Sequence, residues 1–275
     1  MKILVTGGSG QLALALQRQR GNHSLITFRK KDLDITDQEQ LKNIFEREKP
    51  EVVINCAAWT DVDACESNQQ KAFAVNGHAV GSLAESARQV GAQLVQISTD
   101  YVFDGQKGSS YLETDPTNPQ SIYGKSKLLG EQLAGVGALI VRTAWLMGPD
   151  GNNMLQTILR LLRNPGDLYF VDDQVGCPTF TGDLAGALLA LVEAKDEGIF
   201  HVTNAGPVSW FVFAQEVAEA AGHDPSRVLP ISTTDLVPSR PAPRPANSVL
   251  DNLKLVDSGY SQLAPHLDRL NVLLK

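Results

Sequence analysis

The sequence is poor in cysteine, with only Cys56, Cys65 and Cys177 in 275 residues, an odd number with no Cys-x-x-Cys spacing. That scarcity argues against a disulfide framework and a zinc site, and it suits a reducing, cytoplasmic compartment. Staples are not needed, because a chain of this length can bury most of its apolar surface unaided. Long hydrophobic runs are also missing. The opening stretch reaches Gly7 after a three-residue apolar run, too short for a signal-peptide core. The longest apolar candidate, Leu184 to Val192, has the size of an amphipathic helix and not of a bilayer span. Nor is there an excess of positive charge: 24 Lys and Arg face 31 Asp and Glu, a net charge of -7. Such a field opposes the long-range attraction of nucleic acid, so neither a nucleic-acid nor a membrane partner is expected. A diphosphate can still be held by local amides and one or two arginines at contact range. Fixed-period repeats and low-complexity tails are absent as well.

What is present is alternation. Short runs rich in Val, Ile and Leu are separated by longer stretches of helical period, the pattern of parallel strands joined by crossover helices. Strands are expected at Lys2 to Val5, Leu25 to Phe28, Val52 to Asn55, Leu94 to Ser98 and Ala138 to Arg142. Thr36-Asp37-Gln38-Glu39 has the Thr-x-x-Glu form of a capping box, so a helix should open there and run to about Glu48, before Pro50. Val52 to Asn55 is apolar on both faces, as a central parallel strand must be. The expected fold class is α/β, a Rossmann-type doubly wound parallel sheet that receives ligand at the carboxyl ends of its strands. After about residue 145 proline and glycine become denser. The run Pro238-Ser239-Arg240-Pro241-Ala242-Pro243-Arg244-Pro245 can be neither helix nor central strand and should cross a surface or a cleft. Residues 1–145 are thus expected to form the main domain and residues 146–275 a smaller C-terminal lobe, with chain crossings back to the first.

Directly after the first strand comes Thr6-Gly7-Gly8-Ser9-Gly10-Gln11-Leu12-Ala13, leading into a helical run that reaches Arg20. Gly7 and Gly10 can make the tight turn and let a pyrophosphate approach the backbone, while small Ala13 lets the helix pack close to the strand. The helix N-terminus adds partial positive charge. Residues 1–145 therefore read as a dinucleotide-binding domain, with Gly7, Ser9, Gly10, Gln11 and Leu12 as candidate cofactor contacts. The second strand runs into Arg29-Lys30-Lys31-Asp32-Leu33-Asp34, where the ribose-reading residue should fall. An acid there favours NAD and a base NADP; with Arg29 and Lys30 present, NADPH is preferred and NADH is the alternative.

Ser121-Ile122-Tyr123-Gly124-Lys125-Ser126-Lys127 places Tyr123 and Lys127 at i and i+4, one face of a helix. A phenol with an ordinary pKa near 10 is a poor proton carrier at neutral pH, and a nearby ammonium brings it closer to the working range. Upstream, the fourth strand ends in Ser98-Thr99-Asp100-Tyr101, which puts a hydroxyl at the ligand crevice. Glycine loop, strand-end hydroxyl and Tyr-x-x-x-Lys, in this order, point to carbonyl reduction by hydride transfer.

The chain resembles the dTDP-4-dehydrorhamnose reductases, sugar-nucleotide members of the extended short-chain dehydrogenases. The similarity extends from the glycine loop through Leu33-Asp34-Ile35-Thr36-Asp37, Asn55-Cys56-Ala57-Ala58-Trp59-Thr60-Asp61-Val62 and Ser98-Thr99-Asp100-Tyr101. It continues through the Tyr123 to Lys127 motif, Arg142-Thr143-Ala144-Trp145, Asp173-Gln174-Val175-Gly176-Cys177-Pro178-Thr179 and Arg244-Pro245-Ala246-Asn247-Ser248. The resemblance implies that Thr99, Tyr123 and Lys127 are catalytic, that Ala57, Ala58 and Thr60 line the cofactor cleft, and that Asp34 and Ile35 flank the adenosine. It places Val62, Thr99, Asp100, Tyr101, Trp145, Asn153 and Arg244 on the substrate side, in keeping with a substrate-binding role for residues 146–275. Trp145 would be a flat apolar wall and Arg244 a fork for the diphosphate. The implied partner is a dTDP-linked 4-keto-6-deoxy sugar. Some bacterial relatives carry a glutamate on the first helix that helps bind magnesium between subunits. This chain has Ala13-Leu14-Ala15-Leu16-Gln17 there, so a monomer or homodimer without a metal bridge, and no metal ligands, are expected. Two alternatives are a 4-ketoreductase for another deoxysugar and a non-catalytic protein resembling the regulatory subunit of methionine adenosyltransferase.

Overall fold

The computed structural model describes residues 1–275. Strands β1 (Lys2–Thr6), β2 (Ser24–Thr27), β3 (Val52–Asn55), β4 (Gln93–Thr99) and β5 (Leu139–Thr143) form one parallel sheet with a sixth strand, Gly198–His201. The order across the sheet is Gly198–His201, β5, β4, β3, β1, β2. Each of the five expected strands is present within a residue at either end. The sixth was not foreseen, because Gly198-Ile199-Phe200-His201 offers only two apolar side chains.

Alternation along the strands builds two cores. Ile3, Val5, Ile54, Val95 and Val141 face helix α1 (Gln11–Gln19) and the Thr181–Ala194 helix, meeting Leu12, Leu16, Leu184 and Leu188. Leu4, Val53, Leu94 and Ile140 point the other way, against Leu41, Ile44 and Phe45 of α2 (Gln38–Glu48) and against Val80 and Leu83. A sheet covered on both faces is what a parallel arrangement requires. The N-cap of α2 is Asp37, not Thr36: its carboxylate accepts the Glu39 and Gln40 amides, at 3.0 Å each. The Gln40 side-chain amide also donates to the Asp37 carboxylate, 2.8 Å, while the Asp37 backbone amide goes to the Asp34 carbonyl, so the cap lies one residue later than expected and the reciprocal half of a capping box is not made. Thr36 donates instead to Asp34.

Residues beyond β5 form a third core, where helices Met154–Leu162, Trp210–Ala220 and His266–Leu274 bring together Leu155, Ile158, Phe213, Val217 and Leu270. Residues 241–245 are in neither helix nor strand. The chain then folds back on the first half, with Asn247 donating to the Lys107 and Ser109 carbonyls at 2.6 and 2.9 Å. No helix is long and apolar enough to cross a membrane.

Candidate active site

From β1 the chain goes outward to β2 and then crosses to β3 on the other side of β1, so the sheet opens between β1 and β3 at the carboxyl ends. The glycine loop lies in that opening. Gly7 has φ of +66°, and a Cβ there would stand 2.7 to 2.8 Å from the backbone of Ala57 and Cys56, so only glycine lets the loop lie on the end of β3. The Gly8 amide donates to the Phe28 carbonyl, 2.8 Å, and that of Gly10 to Gly7, also 2.8 Å. A buried polar ladder holds the strand ends in register: Thr6 donates to Asn55, 2.6 Å, and Asn55 to Gln96, 2.7 Å.

A cavity of about 540 Å³ fills the crevice. A larger surface groove, about 900 Å³, lies around residues such as Pro50, Gln93 and Ala138 at the amino ends of the strands, away from this constellation. Into the smaller cavity point Thr99 from β4 and both Tyr123 and Lys127 from the Ile122–Ala134 helix, whose N-cap Ser121 accepts the Gly124 amide at 3.1 Å. Gly124 cannot carry a side chain, since its Cβ would fall 2.2 Å from the Tyr101 carbonyl, and this closeness sets Tyr123 beside Tyr101, edge to face at 5.5 Å.

The electrostatics differ from expectation at one point. Burial lifts the Tyr123 hydroxyl above its ordinary pKa. The Lys127 ammonium donates to the Ile97 carbonyl, 2.6 Å, and among the chain's own groups it does not draw Tyr123 down. Lys127 is itself lowered to about 8 by burial, with the Glu131 carboxylate opposing. Tyr123 is therefore a neutral phenol across the physiological range, an acid that keeps its proton until a strong base forms beside it. Thr99 donates to Asp100, 2.9 Å, and accepts the Tyr101 amide at 3.2 Å. Asp100 is fully buried, its pKa pushed up to about 6 by burial, with hydrogen bonds from Ser248 and Thr99 opposing.

The sequence matches the family model described as the RmlD substrate binding domain over residues 1–275. The chain belongs to this family. It is 43% identical over 272 residues to the dTDP-4-dehydrorhamnose reductase of Streptomyces griseus, covering 94% of this chain and 88% of that one. A crystal structure of a dTDP-4-dehydrorhamnose reductase from Clostridium acetobutylicum superposes with a TM-score of 0.95 at 42% identity, covering 100% of this chain and 98% of the other. The Bacillus anthracis enzyme of that name, solved in complex with NADP, gives 0.94 at 35% identity, covering 99% and 98%. The resemblance drawn from the motifs is thereby shown.

Seen as an RmlD family member, the chain gathers most of its candidate residues into one place. Ser9, Gly10, Gln11, Leu12, Ala57, Ala58 and Thr60 line the cavity together with Val62, Thr99, Asp100, Tyr101, Tyr123, Lys127, Trp145 and Asn153. Gly7 lies beneath the loop as its turn. Arg29 is exposed one residue past the Phe28 carbonyl that binds the loop; Asp34 is engaged by Thr36, and Ile35 is part of the core. Two substrate-side candidates are already occupied. Asn153 caps the Met154–Leu162 helix and spends its amide on the Gly148 and Asp150 carbonyls, 3.0 and 3.2 Å. Arg244 is not a free fork as expected: Asp63 takes it in two hydrogen bonds, 3.0 and 2.7 Å, because the proline-bounded segment runs beside the Val62–Ser67 helix. The cavity also includes Asn55, Cys56, Thr143 and Ala144, which the motif reading passed over. Asn55 and Thr143 end β3 and β5, so the strand-end rule that singled out Thr99 could have found both.

Proposed function

We propose that this protein is an NADPH-dependent oxidoreductase that reduces the 4-keto group of a dTDP-linked 4-keto-6-deoxy sugar, converting dTDP-4-dehydro-L-rhamnose to dTDP-L-rhamnose. The observation that carries the reading is the convergence of Thr99, Tyr123 and Lys127 on the cavity that the glycine loop also lines. The loop fits a dinucleotide, since Ser9 to Leu12 line the cavity and the N-terminus of α1 has no side-chain cap, which leaves its amides for a diphosphate. When bound, NADPH supplies the hydride that reduces C4 of the sugar and leaves as NADP⁺. Ser9 to Leu12 would hold its diphosphate, Ala57, Ala58 and Thr60 its flank, and Arg29 its 2′-phosphate; Asp34 and Ile35 would flank the adenosine.

As the C4 oxygen gains charge, Tyr123 gives it a proton, and Thr99 donates a hydrogen bond to the same oxygen. For that, the Thr99 hydroxyl must turn from Asp100. Lys127, held at the cavity by the Ile97 carbonyl, would reach the nicotinamide ribose. Val62, Tyr101 and Trp145 bound the sugar side, with Asn153 and Arg244 further along. Three thiols and no disulfide suit the cytoplasm, and the protein would act as a monomer or homodimer without a metal bridge. The test is NADPH oxidation with enzymatically generated dTDP-4-keto-6-deoxy sugars. Turnover is expected; binding of NADPH with no oxidation on any such sugar would overturn the reading in favour of a sensing protein.

A further inference from the structure

Trp145 follows β5 with φ of +44°, in the left-handed region that a bulky non-glycine residue rarely adopts. Such a conformation persists only where its surroundings impose it. Two features surround this one. The indole of Trp210 lies on that of Trp145, centroids 3.5 Å apart and planes within 5°. On the Val175–Gly176 strand, a Cβ at Gly176 would sit 2.6 Å from Cε2 and 2.7 Å from Nε1 of Trp145, so the ring closes against bare backbone. The two features belong together. Val175–Gly176 pairs antiparallel with Val208–Ser209, and Ser209 caps the helix whose first residue is Trp210. Trp210 is in turn braced edge-on by the fully buried Phe213, 6.3 Å away. Trp145 lines the catalytic cavity; neither Trp210 nor Gly176 does.

We propose that Trp210 and Gly176 are positioning residues for the sugar-nucleotide site: the ribbon and the start of its helix exist at this point to clamp Trp145 into one orientation as a wall of the cavity. The proposal rests on the reading of Trp145 as a substrate contact. Its consequence is that affinity for the sugar nucleotide depends on side chains that do not reach it, while the cofactor half, on the other side of the cavity, is indifferent to them.

The test compares full-length Trp210→Ala, Trp210→Phe and Gly176→Ala with the unaltered protein. Trp210→Ala should raise KM for the dTDP-4-keto sugar roughly three- to tenfold, the scale of one aromatic pair, with kcat nearly unchanged and NADPH affinity unaltered. Trp210→Phe should restore most of the loss, because a smaller ring can still stack. Near-ultraviolet circular dichroism should lose the coupled-indole signal in Trp210→Ala, since Trp59, the third tryptophan, is not part of the pair. Gly176→Ala, which crowds Trp145 from the other side and leaves Trp210 intact, should raise KM in the same way, and it carries the test if Trp210→Ala does not fold. Unchanged KM in a folded Trp210→Ala or in Gly176→Ala, or an equal loss of NADPH binding, overturns the proposal. Trp145→Ala in the same assay separates the two readings. If it too leaves KM unchanged, the assignment of Trp145 as a substrate contact has failed; if it alone raises KM, only the clamp has.

Discussion

Tyr123 and Lys127 carry opposite consequences of the same burial. Removing water penalises the charged form of each, so the phenol is held above its ordinary pKa and the ammonium is brought down to about 8. For a reductase this division is useful: the proton donor stays protonated at neutral pH and the cation stays charged. Tyr123→Phe should therefore fold and bind NADPH normally yet lose at least about two orders of magnitude in reduction rate, the scale of general acid catalysis. Near wild-type turnover in that variant would remove Tyr123 from the mechanism. The lysine makes a separate prediction about pH. Below about 8 Lys127 is charged, and above it the ammonium loses its proton, so kcat/KM, which reports the free enzyme, should decline on the alkaline side with a midpoint near 8. A profile flat from about pH 6 to about pH 10 would refute it. At this scale the motifs were legible because helical spacing and strand ends fix where a side chain points. The burial that shifts both groups was not, nor was the Ile97 carbonyl of β4 that Lys127 meets across elements, whereas Glu131 stands four residues further along the same helix, where the same spacing could have found it.

At the scale of elements, periodicity located the strands, and capping chemistry located α2 to within one residue. Asp37 displaced Thr36 as the cap because Thr36 donates to Asp34, and the Gln40 side-chain amide holds the Asp37 carboxylate in place. The proline-bounded segment was read correctly as outside helix and strand, but its destination could not be. Prolines on both sides of Arg244 restrict the backbone there, but nothing in the sequence pattern shows that Asp63 meets it. Arg244 is largely buried, but the pair is open to solvent at Asp63, and a diphosphate, which accepts the same two parallel hydrogen bonds, can compete for the fork. On that basis Arg244→Ala should raise the sugar-nucleotide KM about tenfold or more and leave NADPH affinity unchanged. Asp63→Asn, which frees the guanidinium, should raise it little. Equal rises in both variants, measured by steady-state kinetics, would mean that the pair acts only as a strap joining this segment to the Val62–Ser67 helix.

Over the whole molecule, the chain beyond residue 145 crosses back and packs on the first half. The Gly198–His201 strand extends the main sheet beside β5, and the Thr181–Ala194 helix covers α1. Leu184, Leu188, Leu189, Leu191 and Val192 of that helix enter the same core as Ile3, Val5 and Val95. A buried Leu or Val contributes about 1.5 to 3 kcal/mol, so these five are worth on the order of 10 kcal/mol, against about 5 to 15 kcal/mol for a whole domain. Losing them removes an amount comparable to everything the fold has. We therefore expect residues 1–145, expressed alone, to lack a cooperative thermal transition, although they contain the glycine loop, Tyr123 and Lys127. The exposed face of α1, with Leu12 and Leu16, should make that fragment aggregate or bind a hydrophobic dye, and its NADPH affinity should be lost because α1 no longer holds the loop against β3. Circular dichroism melting of the fragment beside the full chain decides the matter. A sharp transition with NADPH bound at near full-chain affinity would show that the first 145 residues are an independent domain and that the returning helix and strand are an addition to it.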